Sequence, residues 1–517
     1  MDPANLLRKS ARLFGRNTAF VCEERSQTYD QLLERAIRLA NALRAAGVQP
    51  GDRVALLGDN AFESLEQIAG TAIGGYVRCA LYGHDTADRH HYLLGLVGAR
   101  ALIVQDRHLA ALRPMLADLP ELTTVLVTGQ GPAHGVTGYE DALSAASTED
   151  PQVPLTDDDP HVIRFSAGTT GKPKGILHTV RGWMDMGTEM ALVIPRFTER
   201  DRYLAPAPLS HAAGMFAWPL VAAGAATVVM PAFDTARFLE LIESERITVT
   251  MTVPTLMRMI AEHPDSRTRD LSSLVTVFYG TAPAPEATLA AAIGVWGNIM
   301  YQIYGQSECL PLTVLTPEHH VLDGTDDQRR WLRSAGRPTP NSDVAILDDD
   351  GNRLPDGEIG EIAGRSPGTM RELWAAPEAT AQRVTPDGWF RTRDMGRISD
   401  DGFLHLTDRK EDTIISGGYN IWPTELEDAL AEHPAVAEAA VVGVPHARWG
   451  ETPHAAVVLR PDAHVDPDEL IAWSRERVGS VKKVTAVHLV DSLPRSPIGK
   501  VLRREVRTML ATPDRDR

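Results

Sequence analysis

Ser166-Ala-Gly-Thr-Thr-Gly-Lys-Pro-Lys-Gly175 decides how this chain is read. Gly168, Gly171 and Gly175 let the backbone bend so that its N–H groups converge on phosphate oxygens, Thr169 and Thr170 add hydroxyls, and Lys172 or Lys174 adds charge. The stretch is not the phosphate loop of the common NTPases, G-x-x-x-x-G-K-S/T, because Pro173 follows the lysine after Gly171. Apolar Val162-Ile163-Arg164-Phe165 stands immediately before it, so the loop leaves the end of a strand. A surface turn has a similar composition, and the rest of the chain must separate the two readings.

A chain of 517 residues with 43% hydrophobic and 23% charged residues is globular and long enough for two or more cores. Its net charge of −17 argues against a general nucleic-acid or anionic-membrane surface, either of which needs a basic field. The first residues contain no apolar core of signal-peptide length, and the longest apolar run, Trp218 to Met230, holds Pro219 and is too short to span a bilayer. The expectation is a cytosolic enzyme. Cys22, Cys79 and Cys309 are scattered without C-x-x-C spacing, which reads as reduced thiols and no structural zinc.

Along the first 150 residues helical and strand-like patterns alternate, as in Tyr29 to Ala46 followed by Arg53-Val-Ala-Leu-Leu-Gly58, which is the signature of α/β layers. Pro151 to Pro160 reads as a surface connector. Ala222 to Met230 and Thr248 to Val253 read as buried strands around a helix near Ala236 to Arg246. In the C-terminal region a helix is expected from Pro423 to His433, a strand over Ala439 to Gly443, a second helix from Pro467 to Val478 and a last strand over Thr485 to Val490.

The opening loop resembles the signature of the adenylate-forming superfamily, which includes acyl- and aryl-CoA synthetases, peptide-synthetase adenylation domains and beetle luciferases. Further blocks of that family follow in order: Ala207-Pro-Leu-Ser-His211, Tyr279-Gly-Thr-Ala-Pro283, Tyr304-Gly-Gln-Ser-Glu308, Gly388-Trp-Phe-Arg-Thr-Arg-Asp394, Asp408-Arg-Lys-Glu-Asp412, Ser416-Gly-Gly-Tyr-Asn420 and Pro494-Arg-Ser-Pro-Ile-Gly-Lys500. The resemblance implies a large layered α/β domain over residues 1–407, a hinge at 408–411 and a small α+β lid over 412–517. It implies an ATP-dependent, AMP-forming ligase that uses Mg²⁺ and CoA.

A carboxylate is a poor electrophile, and ATP turns its oxygen into a leaving group when the carboxylate attacks the α-phosphate; cations must answer the charge that develops. By resemblance, Ser166, Gly168, Thr169, Thr170, Gly171 and Lys174 hold phosphates, and Glu308 binds Mg²⁺ with Thr170 beside it. Tyr304 stacks on adenine, Gly280, Thr281 and Ala282 line the opposite side, and Gly305 and Ser307 also belong to the nucleotide site. Asp394 accepts from both ribose hydroxyls and Arg409 adds a polar contact. Lys500 bridges the substrate carboxylate and the α-phosphate, then leaves as the lid rotates. Gly417 and Gly418 then leave room for a pantetheine arm, and His211 packs at the acyl site.

Several positions depart from the family pattern. Thr392-Arg393-Asp394 replaces T-G-D, Ser307 replaces a threonine, Glu411 stands at the hinge, and only a lysine survives of Y-K-x-P near Val481-Lys-Lys-Val484. Small His211-Ala-Ala-Gly214 beside Met215, Phe216 and Trp218 points to a roomy apolar pocket, for an aryl acid or a medium-length fatty acid. Three other readings stay open: acyl transfer to a carrier-protein pantetheine, nitrite activation for N–N bond formation on an aromatic amine, and a nucleotide sensor without catalysis. Retention of Glu308 and Lys500 argues against the last.

Overall fold

The computed structural model describes residues 2–129, 136–165, 173–210, 212–282, 284–416, 419–446, 448–495 and 501–511. The chain packs as two compact units, Met1–Val344 with Gly364–Phe390, and Ala345–Ala363 with Arg391–Arg517.

The first unit is built on two large, mostly parallel sheets. In the nine-stranded sheet, Met300–Gln306, Thr276–Gly280, Val249–Thr252, Arg202–Ala205, Ala226–Val229 and Thr18–Cys22 run parallel in that order, with antiparallel strands at both edges. The eight-stranded sheet orders Pro160–Phe165, Val77–Tyr82, Arg53–Gly58, Ala101–Gln105 and Thr124–Thr128 in parallel, and Gly175–Thr179 lies antiparallel beyond Pro160–Phe165. Strands covered on both faces need unbroken apolar runs, which is why Ala101-Leu-Ile-Val104 is buried throughout.

Helices fill the space between the sheets. Tyr29–Ala45 opens with a capping box, in which Thr28 Oγ1 accepts from Gln31 N at 3.3 Å and Gln31 Oε1 accepts from Thr28 N at 2.9 Å. Its apolar face, Leu32, Ala36, Leu39, Ala40 and Leu43, recurs every three or four residues and is buried. The apolar run after Trp218 divides differently from the sequence reading. Ala217–Ala223 is helix, Gly224 ends it at φ +73, and the strand is only Ala226–Val229. An apolar run of this length satisfies either period, and the left-handed glycine decides where the change falls.

The second unit has its own core of Ile414, Ile421, Leu426, Leu430, Val441, Val457 and Leu470. A four-stranded sheet joins Asp343–Leu347, Gly360–Arg365, Phe390–Ile398 and Leu404–Arg409, and a five-stranded sheet is centred on Val436–His446 paired with Gly450–Leu459. Helices Pro423–Ala431, Pro467–Lys482 and Arg503–Ala511 pack with the latter; the second breaks at Gly479, φ +83, one residue past its expected end. No helix among the described residues is long and apolar enough to cross a membrane. Cys22, Cys79 and Cys309 are free and buried, and burial pushes the Cys309 thiol up to about 12.

Asn60, 4% exposed, holds the carboxyl ends of the two large sheets together. From the end of one sheet its amide donates to Ala207 O at 3.0 Å and Met230 O at 3.2 Å, and its Oδ1 accepts from Leu209 N at 2.9 Å, all in the other sheet's edge loops. Asn60→Ala strands these groups in the interior and is expected to cost about 3 kcal/mol, read as a lower urea midpoint at unchanged m.

Candidate active site

In the first unit the register Gly280↔Ile303 sets two sequence blocks side by side, Tyr279 to Ala282 and Tyr304 to Glu308. The approach is so close that a Cβ on Gly280 would stand 2.5 Å from Ile303 O. Thr281 follows at φ +68, a conformation a β-branched residue occupies only where its surroundings enforce it. Tyr304 is 9% exposed, and a Cβ on Gly305 would meet Cys309 O at 2.8 Å, so the turn into Ser307 and Glu308 admits only glycine there.

The strands that flank residues 166–174 form a hairpin, with Phe165 opposite Gly175 and Lys174 exposed where the second strand begins. That second strand carries His178, whose Nε2 lies 2.9 Å from Ser307 O. A carbonyl only accepts, so Nε2 bears the proton and donates. Burial and the charge of Arg164 push the imidazole pKa down to about 3, which keeps it neutral while its Nδ1 faces no described partner. Through His178 the hairpin that flanks residues 166–174 is thus tied to the block that carries Glu308.

The Glu308 carboxylate is 11% exposed, and Arg383 Nη1 reaches it only at 4.0 Å, the outer limit of an ion pair. Arg383 is itself held by Gln306 Oε1 at 3.0 Å and lies over the Phe390 ring at 4.7 Å. A nearly buried carboxylate with so distant a protein cation has the donor chemistry that suits Mg²⁺, which takes one or two carboxylates and completes its shell with phosphate oxygens and water. Sequence reasoning missed His178, Arg164 and Arg383, since none lies in a block with an expected role.

In the second unit Asp394 and Arg409 face each other across adjacent strands, with Arg409 Nε 3.4 Å from Asp394 Oδ1. The Asp394 carboxylate is 15% exposed, and its backbone N–H donates to Thr392 Oγ1 at 3.0 Å, whose own hydroxyl donates to Ile362 O at 2.7 Å. Such a fixed carboxylate fits the paired hydroxyls of a ribose. Glu361, buried, accepts from Arg391 Nη2 at 2.7 Å and from the Arg393 N–H at 3.2 Å. Ser166, Gly168, Thr169, Thr170, Gly171, His211, Gly417, Gly418 and Lys500 lie outside the described residues.

Arg393 takes φ +61, in the left-handed region that favours glycine. The glycine of T-G-D is therefore a backbone requirement that this chain meets with an arginine under strain. Arg393→Gly is expected to be more stable than Arg393→Ala by about 1 kcal/mol, since both lose the side chain and only glycine relieves the strain. Chemical denaturation of the pair measures the difference.

Residues 7–374 match the family described as AMP-binding enzyme, and residues 425–500 match the AMP-binding enzyme C-terminal domain. The chain is 37% identical over 493 residues to a medium/long-chain-fatty-acid–CoA ligase of Mycobacterium tuberculosis, covering 93% of this chain and 85% of that protein. It is 38% identical over 482 residues to a feruloyl-CoA synthase of an Amycolatopsis species, covering 93% of each. Among solved structures it superposes on the amide bond synthetase McbA of Marinactinospora thermotolerans with a TM-score of 0.87 at 33% identity, covering 98% of this chain and 99% of that one. The chain belongs to the AMP-binding enzyme family and is an AMP-forming ligase of the adenylate-forming superfamily.

Proposed function

We propose that this ligase activates an aryl or medium-length fatty acid as its acyl-AMP and passes the acyl group to CoA. The reading rests on the tie between the phosphate-loop hairpin and the Tyr304 to Glu308 block through His178 and Ser307. It brings the strand that follows the loop expected to hold polyphosphate against the block that carries the carboxylate expected to hold the metal. Bound there, Mg²⁺ would neutralise phosphate charge as the acid approaches.

The roles follow from the residue types. Thr169, Thr170 and Lys174 hold the outer phosphates, with Ser166, Gly168 and Gly171 shaping the loop. Glu308 and Thr170 hold Mg²⁺. Tyr304 stacks on adenine against Gly280, Thr281 and Ala282, while Asp394 and Arg409 take the ribose. Lys500 offsets repulsion between the carboxylate and the α-phosphate, and withdraws before the thiol enters past Gly417 and Gly418 with His211 at the acyl end. Met215, Phe216 and Trp218, all buried, support an apolar acyl site.

Withdrawal requires a hinge, which we place at residues 408–411. Asp408 Oδ2 accepts from Thr424 N at 2.8 Å and Oγ1 at 3.0 Å, and Oδ1 lies 3.3 Å from Arg503 Nη1. Arg503 also meets Glu427 Oε2 at 2.5 Å and Asp412 Oδ2 at 3.4 Å. A rotation about the residues after Asp408 must part it from Thr424 and Arg503. These bonds therefore bias the lid toward the conformation that has them.

The structural likeness to an amide bond synthetase favours keeping a second reading, in which adenylation is retained and an amine, or the pantetheine of a carrier protein, replaces CoA.

Pyrophosphate release should depend on one class of acid, and mass spectrometry should find the matching acyl-CoA; an acid-dependent release with no CoA adduct selects the second reading. Lys500→Ala should lower acid-dependent pyrophosphate release at least about 100-fold while leaving thioester formation from supplied acyl-AMP within a few-fold, because the lysine acts in the first step alone. Asp408→Asn should shift the two half-reactions in opposite directions, whereas simple loss of folded protein would lower both equally.

A further inference from the structure

Arg78 sits in the interior of the eight-stranded sheet, between Val54 and Val162 on the neighbouring strands, and is 3% exposed. Buried arginines are ordinarily paired with a carboxylate. Here no described group accepts a hydrogen bond from the guanidinium. Its charged neighbour is Arg164, of like sign and 8% exposed, and burial together with that charge lowers the Arg78 pKa to about 10. The Trp183 ring lies 5.4 Å from the Arg78 Cζ and 5.9 Å from that of Arg164. His161 and His178 complete the surroundings and are held neutral, chiefly by burial. Glu308 faces Arg164 and has the metal to hold.

The space that Arg78 borders has the features of a ligand site. It opens at the carboxyl ends of Arg53–Gly58, Val77–Tyr82 and Ala101–Gln105, where the chain passes from one side of the first of these strands to the other. Such a switch point is where open α/β sheets bind ligands. The cavity measures about 40 Å³, room for about three water molecules and hence for one carboxylate. Gln67 and Thr128 line it with side-chain donors that no other described group accepts. Asp59, the carboxylate among its described lining residues, is engaged by Arg107. Leu209 and Ser210 form one wall, directly before His211.

We infer that this cavity binds an oxyanion of carboxylate size, with Arg78 as its counter-ion and Gln67 and Thr128 as further donors. The group is supplied either by the far end of the activated acid or by a separate small carboxylate. In both cases a cavity formed partly by Leu209 and Ser210 couples its occupancy to the loop that carries His211.

The test compares the full-length protein with Arg78→Met and Arg78→Lys. Thermal unfolding is followed with acetate or succinate against chloride at matched ionic strength, a readout that needs no turnover and is independent of the acid-activation reading. The wild type should gain about 2 °C or more from the carboxylates. Arg78→Met should lose that gain yet be no less stable than wild type in chloride, since it removes an uncompensated buried charge. Arg78→Lys, which keeps the charge without the fork, should retain part of the gain and decides the matter if the methionine variant does not fold.

Kinetics with a straight-chain monoacid and the α,ω-diacid of equal length then identify the source. A KM for the diacid raised at least about tenfold in Arg78→Met, with the monoacid unchanged, places the group on the substrate. Unchanged KM values with loss of the acetate effect assign it to a separate ligand. An Arg78→Met protein that is less stable in chloride and keeps the full carboxylate response, or a wild type with no carboxylate response and no KM change on substitution, overturns the inference and leaves Arg78 a structural cation.

Discussion

Two parallel sheets have to end at a common edge for this chain to work, and the bond from His178 Nε2 to Ser307 O is what joins them there. One partner belongs to the hairpin that carries the glycine-rich loop, the other to the turn before Glu308. Asn60 repeats the arrangement a few strands away, reaching from one sheet into the edge loops of the other. Both ties are made by buried polar side chains, which are costly to leave without a partner. His178 is held neutral chiefly by burial and then by the neighbouring charge of Arg164, so the tie adds no like-charge repulsion beside that guanidinium.

Charge is arranged locally against a chain that carries −17 overall. Arg164 and Arg383 both lie by the nearly buried carboxylate of Glu308. In the second unit the pattern is reversed: Asp408, Asp412 and Glu427 converge on the single guanidinium of Arg503. The first arrangement suits anionic ligands.

Much of this was legible in the residues themselves. The helix at Tyr29–Ala45 and the strand at Arg53–Gly58 follow from the periodicity of their apolar residues. The strand Phe390–Ile398 was not legible, because charged residues interleave with apolar ones along it and no clean alternation marks a buried face. Arg78, Arg164 and His178 were missed for a related reason. A polar residue alternating with apolar ones reads as the solvent face of a strand, and only the packing of Trp183 against that face reveals that it is covered. Arg393 was recognised as a departure from glycine, but its left-handed backbone is a property of the fold and not of the letter.

In the proposed reaction a substrate carboxylate oxygen attacks the α-phosphate of ATP. Turnover of an acid labelled with ¹⁸O in its carboxyl group, followed by mass spectrometry of the nucleotide, tests it directly. One labelled oxygen is expected in AMP, with unlabelled pyrophosphate, because the oxygen that joins acid to phosphorus stays with AMP when the acyl group departs. Label found in inorganic phosphate with ADP as the nucleotide product, or AMP free of label, would rule out attack at the α-phosphate.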